Sequence, residues 1–118
     1  MGLFDRFKNQ GKSDSGYAKK FKEAYEKYEK NETQANIDSL FSIANSWKEY
    51  EHGEENGEME DANIWYAHAI SYGILARKNF DHYPSAMVSF NKAVTKKPKD
   101  ASLLDWYRNR SDKIISAL

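Results

Sequence analysis

Apolar residues recur at helical spacing along five stretches of the chain, with polar residues between them. The first two stretches, residues 15–30 and 34–51, each carry a single apolar face. The first face consists of Tyr17, Phe21, Ala24, Tyr25 and Tyr28, and the second of Ile37, Leu40, Phe41, Ala44 and Trp47. Residues three and four apart lie on the same side of a helix. The pattern therefore predicts two amphipathic helices, capped by Ser15 and Thr33, that pair as an antiparallel hairpin.

The remaining three stretches predict a second hairpin and a closing helix. The third begins near Asp61 or Asn63, ends near Asn79 and is apolar on several faces, which is typical of a central, buried helix. The fourth runs from Tyr83 to a point before Pro98. The fifth spans residues 101–117, with Asp100 as its cap and Leu103, Leu104, Tyr107, Ile114 and Ile115 facing inward. No long alternation of period two is present, so the predicted fold class is all-α, with five helices.

Composition is consistent with one domain, and the charge is unevenly distributed. The chain of 118 residues has 18 basic and 18 acidic side chains. Residues 1–14 are expected to form a flexible tail, and residues 15–118 a single helical domain. Six of the acidic side chains fall within residues 51–61, which contain no Lys or Arg and are expected to form an exposed loop.

The sequence contains no motif that would carry catalysis, a metal ion or a cofactor. The three histidines, His52, His68 and His82, are not spaced for joint metal binding. The C-terminal half is basic and includes Trp106 and Tyr107, a mixture that can bind a phosphate backbone. The acidic segment and the zero net charge argue against nucleic acid, and Tyr107 is expected to belong to the core. The sequence therefore predicts a protein that is not an enzyme and needs no cofactor.

Location is inferred from what the sequence lacks. It has no cysteine, no run of 18 apolar residues and no apolar segment typical of a secretory signal. We expect a cytoplasmic protein of bacterial type with no transmembrane segment. The N-terminal Leu3, Phe4 and Phe7 form a short apolar turn that docks either on the domain or on a membrane surface.

One segment resembles a known helical repeat. Tyr83, Ala86, Phe90, Ala93 and Pro98 are spaced 3, 4, 3 and 5 residues apart, which resembles the second helix of a tetratricopeptide repeat. Ile37, Phe41 and Ala44 repeat part of this spacing. The resemblance implies two stacked hairpins in a right-handed superhelix, with the fifth helix as a cap and Gly73 or Ile74 as the small-residue position of the third helix. The alternative is a plain helical bundle.

The resemblance implies a protein–protein interaction module, that is, a scaffold or adaptor that binds a peptide or partner protein in a groove lined by the first and third helices. His68 and Tyr72 are the candidate groove residues. The alternative is an immunity- or antitoxin-like inhibitor, in which the acidic segment blocks a basic partner through Glu54, Glu55, Glu58 and Glu60. Self-association through the open side of the first or fifth helix, as a homodimer, is a further expectation.

Overall fold

The computed structural model describes the backbone of residues 10–52 and 60–118, and the side chains of residues 16–51 and 60–118. This part of the chain forms five α-helices and no β-strand, which confirms the predicted all-α class. The helices are α1 (Gln10–Lys30), α2 (Gln34–His52), α3 (Ala62–Lys78), α4 (Tyr83–Ala93) and α5 (Leu104–Ser116). Two short 3-10 helices, Phe80–His82 and Ala101–Leu103, precede α4 and α5.

The first hairpin, α1 and α2, forms as expected but begins earlier in the chain. α1 starts at Gln10, so Ser15 lies inside the helix and is not its cap. The predicted tail therefore loses residues 10–14 to the helix, and the apolar turn of Leu3, Phe4 and Phe7 lies outside the described residues. Thr33 does act at the start of α2, because its hydroxyl accepts a hydrogen bond from the backbone N–H of Asn36 at 3.2 Å.

The central position predicted for the third helix is confirmed. α3 contacts each of the other four helices. Twelve of its 17 residues are buried, among them Ile64, Ile70 and Ile74. A helix apolar on most faces reaches low free energy only where neighbours cover several of those faces. α3 thereby forms the centre of the domain, with its main hairpin partner α4 on one side and α5 on another.

α4 begins at Tyr83 and ends before Pro98, as predicted, and the segment that follows leaves the helix. The helix ends at Ala93, five residues before Pro98. The residue before a proline disfavours helical geometry, and Lys97 is that residue. Lys97 instead takes part in an isolated bridge with Asp61, in which its carbonyl accepts a hydrogen bond from the N–H of Ala62 at 3.0 Å.

Three parts of the chain meet at this bridge, a place that we call the Asp61 junction (Glu51, Asp61 and residues 97–99). The Asp61 side chain is 1% exposed, and its Oδ1 accepts hydrogen bonds from the N–H of Asn63 at 3.0 Å and of Lys99 at 3.1 Å. The Lys99 ammonium contacts the Glu51 carboxylate at 2.8 Å. Asp61 therefore caps α3 and also fixes the segment that leads to α5.

α5 closes the domain by packing against α3 and against α1. The hydroxyl of Tyr107 donates a hydrogen bond of 2.6 Å to the carbonyl of Ala18 in α1. Gly73 of α3 faces Ile114 of α5 so closely that a Cβ on the glycine would lie 2.5 Å from Ile114 Cγ2. Of the five residues predicted to face inward, Tyr107 and Ile114 are fully buried. Leu103, Leu104 and Ile115 are partly exposed.

Candidate functional site

A surface cavity of about 340 Å³ opens where α3 and α4 meet the end of α2. Its lining combines aromatic and aliphatic walls with a few polar groups: Lys48, Trp65, His68, Tyr72, Pro84, Ser85, Val88 and Ser89. Apolar walls with a small number of polar groups are typical of binding cavities. The predicted groove residues, His68 and Tyr72, both belong to this lining.

His68 is the most unusual polar group of the cavity. Its side chain is 7% exposed, and Nδ1 lies 2.9 Å from the backbone carbonyl oxygen of Ile64, one turn earlier in α3. The other ring nitrogen, Nε2, is buried and has no hydrogen-bond partner. Burial lowers the pKa of His68, the hydrogen bond to Ile64 opposes that change, and the positive charge of Lys48 adds to it. The ring is therefore neutral at neutral pH.

Aromatic contacts fix the walls on either side of this histidine. Tyr72 packs edge-on against Phe41 of α2, with 5.4 Å between the ring centroids. Trp65 lies 6.5 Å from the His68 ring, and the Lys92 ammonium lies 5.3 Å from the Trp65 centroid. These contacts join α2, α3 and α4 around the cavity, so its shape is set by the helix packing and not by a loop.

The cavity is not where the family resemblance placed a groove. That resemblance implies a groove lined by the first and third helices, whereas this cavity is lined by α3 and α4, with Lys48 from α2. His68 and Tyr72 thus face the second helices of the two hairpins.

The acidic segment is only partly the exposed loop that its composition predicts. Glu51 belongs to α2, and its side chain is 8% exposed and paired with Lys99. Asp61 is buried. Glu60 is exposed, and its carboxylate lies 3.9 Å from the Lys96 ammonium. The other predicted acidic residues, Glu54, Glu55 and Glu58, lie outside the described residues.

Several cationic and aromatic residues of the C-terminal half are likewise engaged within the fold. Arg108 pairs with Asp105 at 2.9 Å, and Arg110 pairs with Glu29 at 3.5 Å. The Arg110 guanidinium also lies over the rings of Tyr25 and Trp106. The expectation that Tyr107 belongs to the core is confirmed. The pair of Arg108 and Asp105 lies within α5, whereas the contacts of Arg110 with Glu29 and Tyr25 attach α5 to α1.

Six of the eight lining residues were not predicted as site residues, among them the exposed Val88 and the cationic Lys48. Val88 is 53% exposed and lies on the opposite side of α4 from the inward-facing Ala86 and Ala93. Val94 is equally exposed and does not line the cavity, so an exposed apolar residue alone is not a signal that would have identified Val88. Lys48 is one of many surface lysines, and nothing in its sequence context distinguishes it.

Two other surface cavities of similar volume have a different character. They measure about 360 and 370 Å³, and Lys and Glu side chains of α1 supply much of their lining. Neither is lined by any of the buried side chains that have an unpaired polar atom. The cavity at His68 is therefore the stronger candidate.

Comparisons with protein-family models, with curated proteins and with solved structures found no match. None of the helices in the described part of the chain is long and apolar enough to cross a membrane. Among the same residues, no group of three or more His, Cys, Asp or Glu side chains is placed to hold a metal ion.

Proposed function

We propose that this protein is a non-catalytic interaction module that binds a segment of a partner protein in the cavity between α2, α3 and α4. The observation that carries the proposal is the cavity itself, which has apolar walls, an exposed Val88 and a buried His68 nitrogen without a partner. An exposed apolar surface beside a cavity with a few placed polar groups is typical of a binding site.

The proposal includes a tetratricopeptide-like fold, which is supported by fewer observations than the binding cavity. Ala86 and Ala93 are buried, and α3 and α4 form the most extensive helix pair of the domain. Both features agree with the role that small residues have in such hairpins. The binding surface that we propose nevertheless differs from the groove that the family would use.

The inhibitor alternative has less support. It requires acidic side chains that are available to a basic partner, whereas Glu51 and Asp61 take part in the Asp61 junction. Glu60 is exposed, so Glu54, Glu55, Glu58 and Glu60 would have to carry the interaction.

Two valines of nearly equal exposure provide a matched test. Val88 is 53% exposed and lines the cavity, while Val94 is 54% exposed and does not line it. We expect Val88→Asp to abolish capture of the proteins that the wild type retains from its native lysate, and Val94→Asp to leave capture intact. If both valine variants still capture these proteins, and capture is lost only when Glu54, Glu55, Glu58 and Glu60 are neutralised, the inhibitor alternative is favoured.

A further inference from the structure

The protonation state of His68 defines what its free nitrogen can bind. A carbonyl oxygen only accepts hydrogen bonds, so the contact with Ile64 requires that Nδ1 carries the proton. Nε2 then presents a lone pair, and it has no donor within reach. A buried acceptor without a partner is uncommon in folded proteins, because leaving it unpaired costs free energy.

The rest of the cavity restricts the group that would supply the donor. Trp65, Tyr72, Pro84 and Val88 offer an apolar enclosure suited to a ring. The volume of about 340 Å³ lies at the small end of ligand sites and suits one large side chain with its neighbouring backbone. Because Nε2 is buried, a donor reaches it only when neighbouring side chains move.

The charge of the lining provides the second restriction. Among the residues that the structure describes, Lys48 is the one charged residue in the lining, and no carboxylate of this described set lines the cavity. Its ammonium forms no ion pair with any residue among those that the structure describes. An anionic group beside the bound ring would therefore be attracted to Lys48.

We infer that the cavity binds a tyrosine side chain of an acidic segment in a partner protein. The tyrosine hydroxyl donates to His68 Nε2, the ring packs among Trp65, Tyr72 and Val88, and a carboxylate next to the tyrosine pairs with Lys48. This inference rests on the proposed function, since it specifies the segment that the cavity accepts. A phenylalanine would fit the same walls and leave Nε2 unpaired.

Short blocked peptides test the inference directly. The probes are the acetylated, amidated sequences Ala-Glu-Tyr-Glu-Ala, Ala-Glu-Phe-Glu-Ala and Ala-Lys-Tyr-Lys-Ala, titrated into the full-length protein and followed by amide and indole NMR shifts. A neutral hydrogen bond is worth a factor of roughly 2 to 12 in affinity. We expect the acidic tyrosine peptide to bind about fivefold more tightly than the phenylalanine peptide, with the largest shifts at Trp65 and His68.

Variants separate the hydrogen bond from general packing. In His68→Leu the tyrosine hydroxyl would be buried without an acceptor, so the preference should reverse and the phenylalanine peptide should bind more tightly. His82→Leu is the matched control, because His82 does not line the cavity, and it should keep the preference for tyrosine. Lys48→Glu changes an exposed residue, so the fold should be retained, and it should reverse the preference between acidic and basic flanks.

The outcomes distinguish this inference from the function on which it rests. Equal affinity for the tyrosine and phenylalanine peptides, or no binding of either, overturns the tyrosine assignment. The valine capture test then decides separately whether the cavity binds a partner at all. If Lys48→Glu still binds the tyrosine peptide with glutamate flanks more tightly than the one with lysine flanks, the pairing of a partner carboxylate with Lys48 is overturned.

Discussion

Replacing Gly73 by alanine should destabilise the domain, although alanine is the better helix former. Gly73 lies inside α3, where its replacement by alanine would ordinarily gain about 0.8–1.0 kcal/mol of helix propensity. The added Cβ would lie 2.5 Å from Cγ2 of Ile114, which is 1% exposed. Carbon atoms in contact are about 3.5–4.0 Å apart, so the Ile114 side chain must leave its position or α3 and α5 must separate by about 1 Å.

The two opposing contributions give the expected sign. Forcing extra atoms into a packed core costs about 1–3 kcal/mol. After subtracting the gain in propensity, we expect a net loss of about 1 kcal/mol in the free energy of unfolding. For a domain of this length, that loss lowers the melting temperature by about 3–5 °C. Thermal unfolding followed by far-UV circular dichroism would measure it.

Gly16 is a matched control in the same protein. It lies within α1, and a Cβ built there would have nothing within 4 Å. Gly16→Ala should therefore stabilise the protein by up to about 1 kcal/mol, because only the propensity changes. If Gly73→Ala raised the melting temperature as much as Gly16→Ala does, the close contact between α3 and α5 would be refuted. Adding Ile114→Leu, which removes the γ2 methyl group, should restore part of the stability that Gly73→Ala loses.

Two further predictions concern the buried polar groups that connect the helices. Burial raises the pKa of Asp61 from 3.8 to about 6, against the opposing effect of the hydrogen bonds from Lys99 and Asn63. The protonated carboxyl of Asp61 therefore stabilises the folded state; this contribution is fully present below pH 3.8 and is lost as the pH rises through about 6. In urea unfolding, Asp61→Asn should have the same free energy of unfolding as the wild type near pH 4 and a higher one, by up to about 3 kcal/mol, at pH 7.5. Asp61→Ala should be less stable than the wild type at both pH values, because it removes the helix cap. A difference between Asp61→Asn and the wild type that does not change with pH would contradict the raised pKa of Asp61. Tyr107→Phe removes the hydrogen bond to Ala18 and should lower the free energy of unfolding by about 1 kcal/mol, and an unchanged urea midpoint would show that this bond contributes nothing.

The periodicity of apolar residues was sufficient to predict the five helices and the central position of α3. That information is local, because side chains three and four apart share a face whatever the rest of the chain does. The same reasoning did not predict the bridge between Lys97 and Asp61, because these residues are far apart in the sequence. It also treated Asp61 as part of a solvated loop, although the side chain is 1% exposed.

For the candidate site, the sequence identified His68 and Tyr72 but not the surface around them. Both are aromatic side chains of the third helix that the core does not require, and the family resemblance indicates that such residues line a groove. The cavity depends on how α2 and α4 are set against α3, which no spacing along the chain encodes. Lys48 enters the lining from another helix for this reason, and only the packed structure shows it.

The Asp61 junction also bears on how the length of this chain can vary. Glu51 and Asp61 lie on either side of residues 53–59, and both are held by residues 97–99 through contacts that do not pass through that segment. The closure entropy of a loop grows slowly, by about 0.6 kcal/mol for each doubling of its length. Insertions or deletions between the first hairpin and the second would therefore leave α3 anchored. Related chains can be expected to differ in length here more readily than at the short connection between α3 and α4.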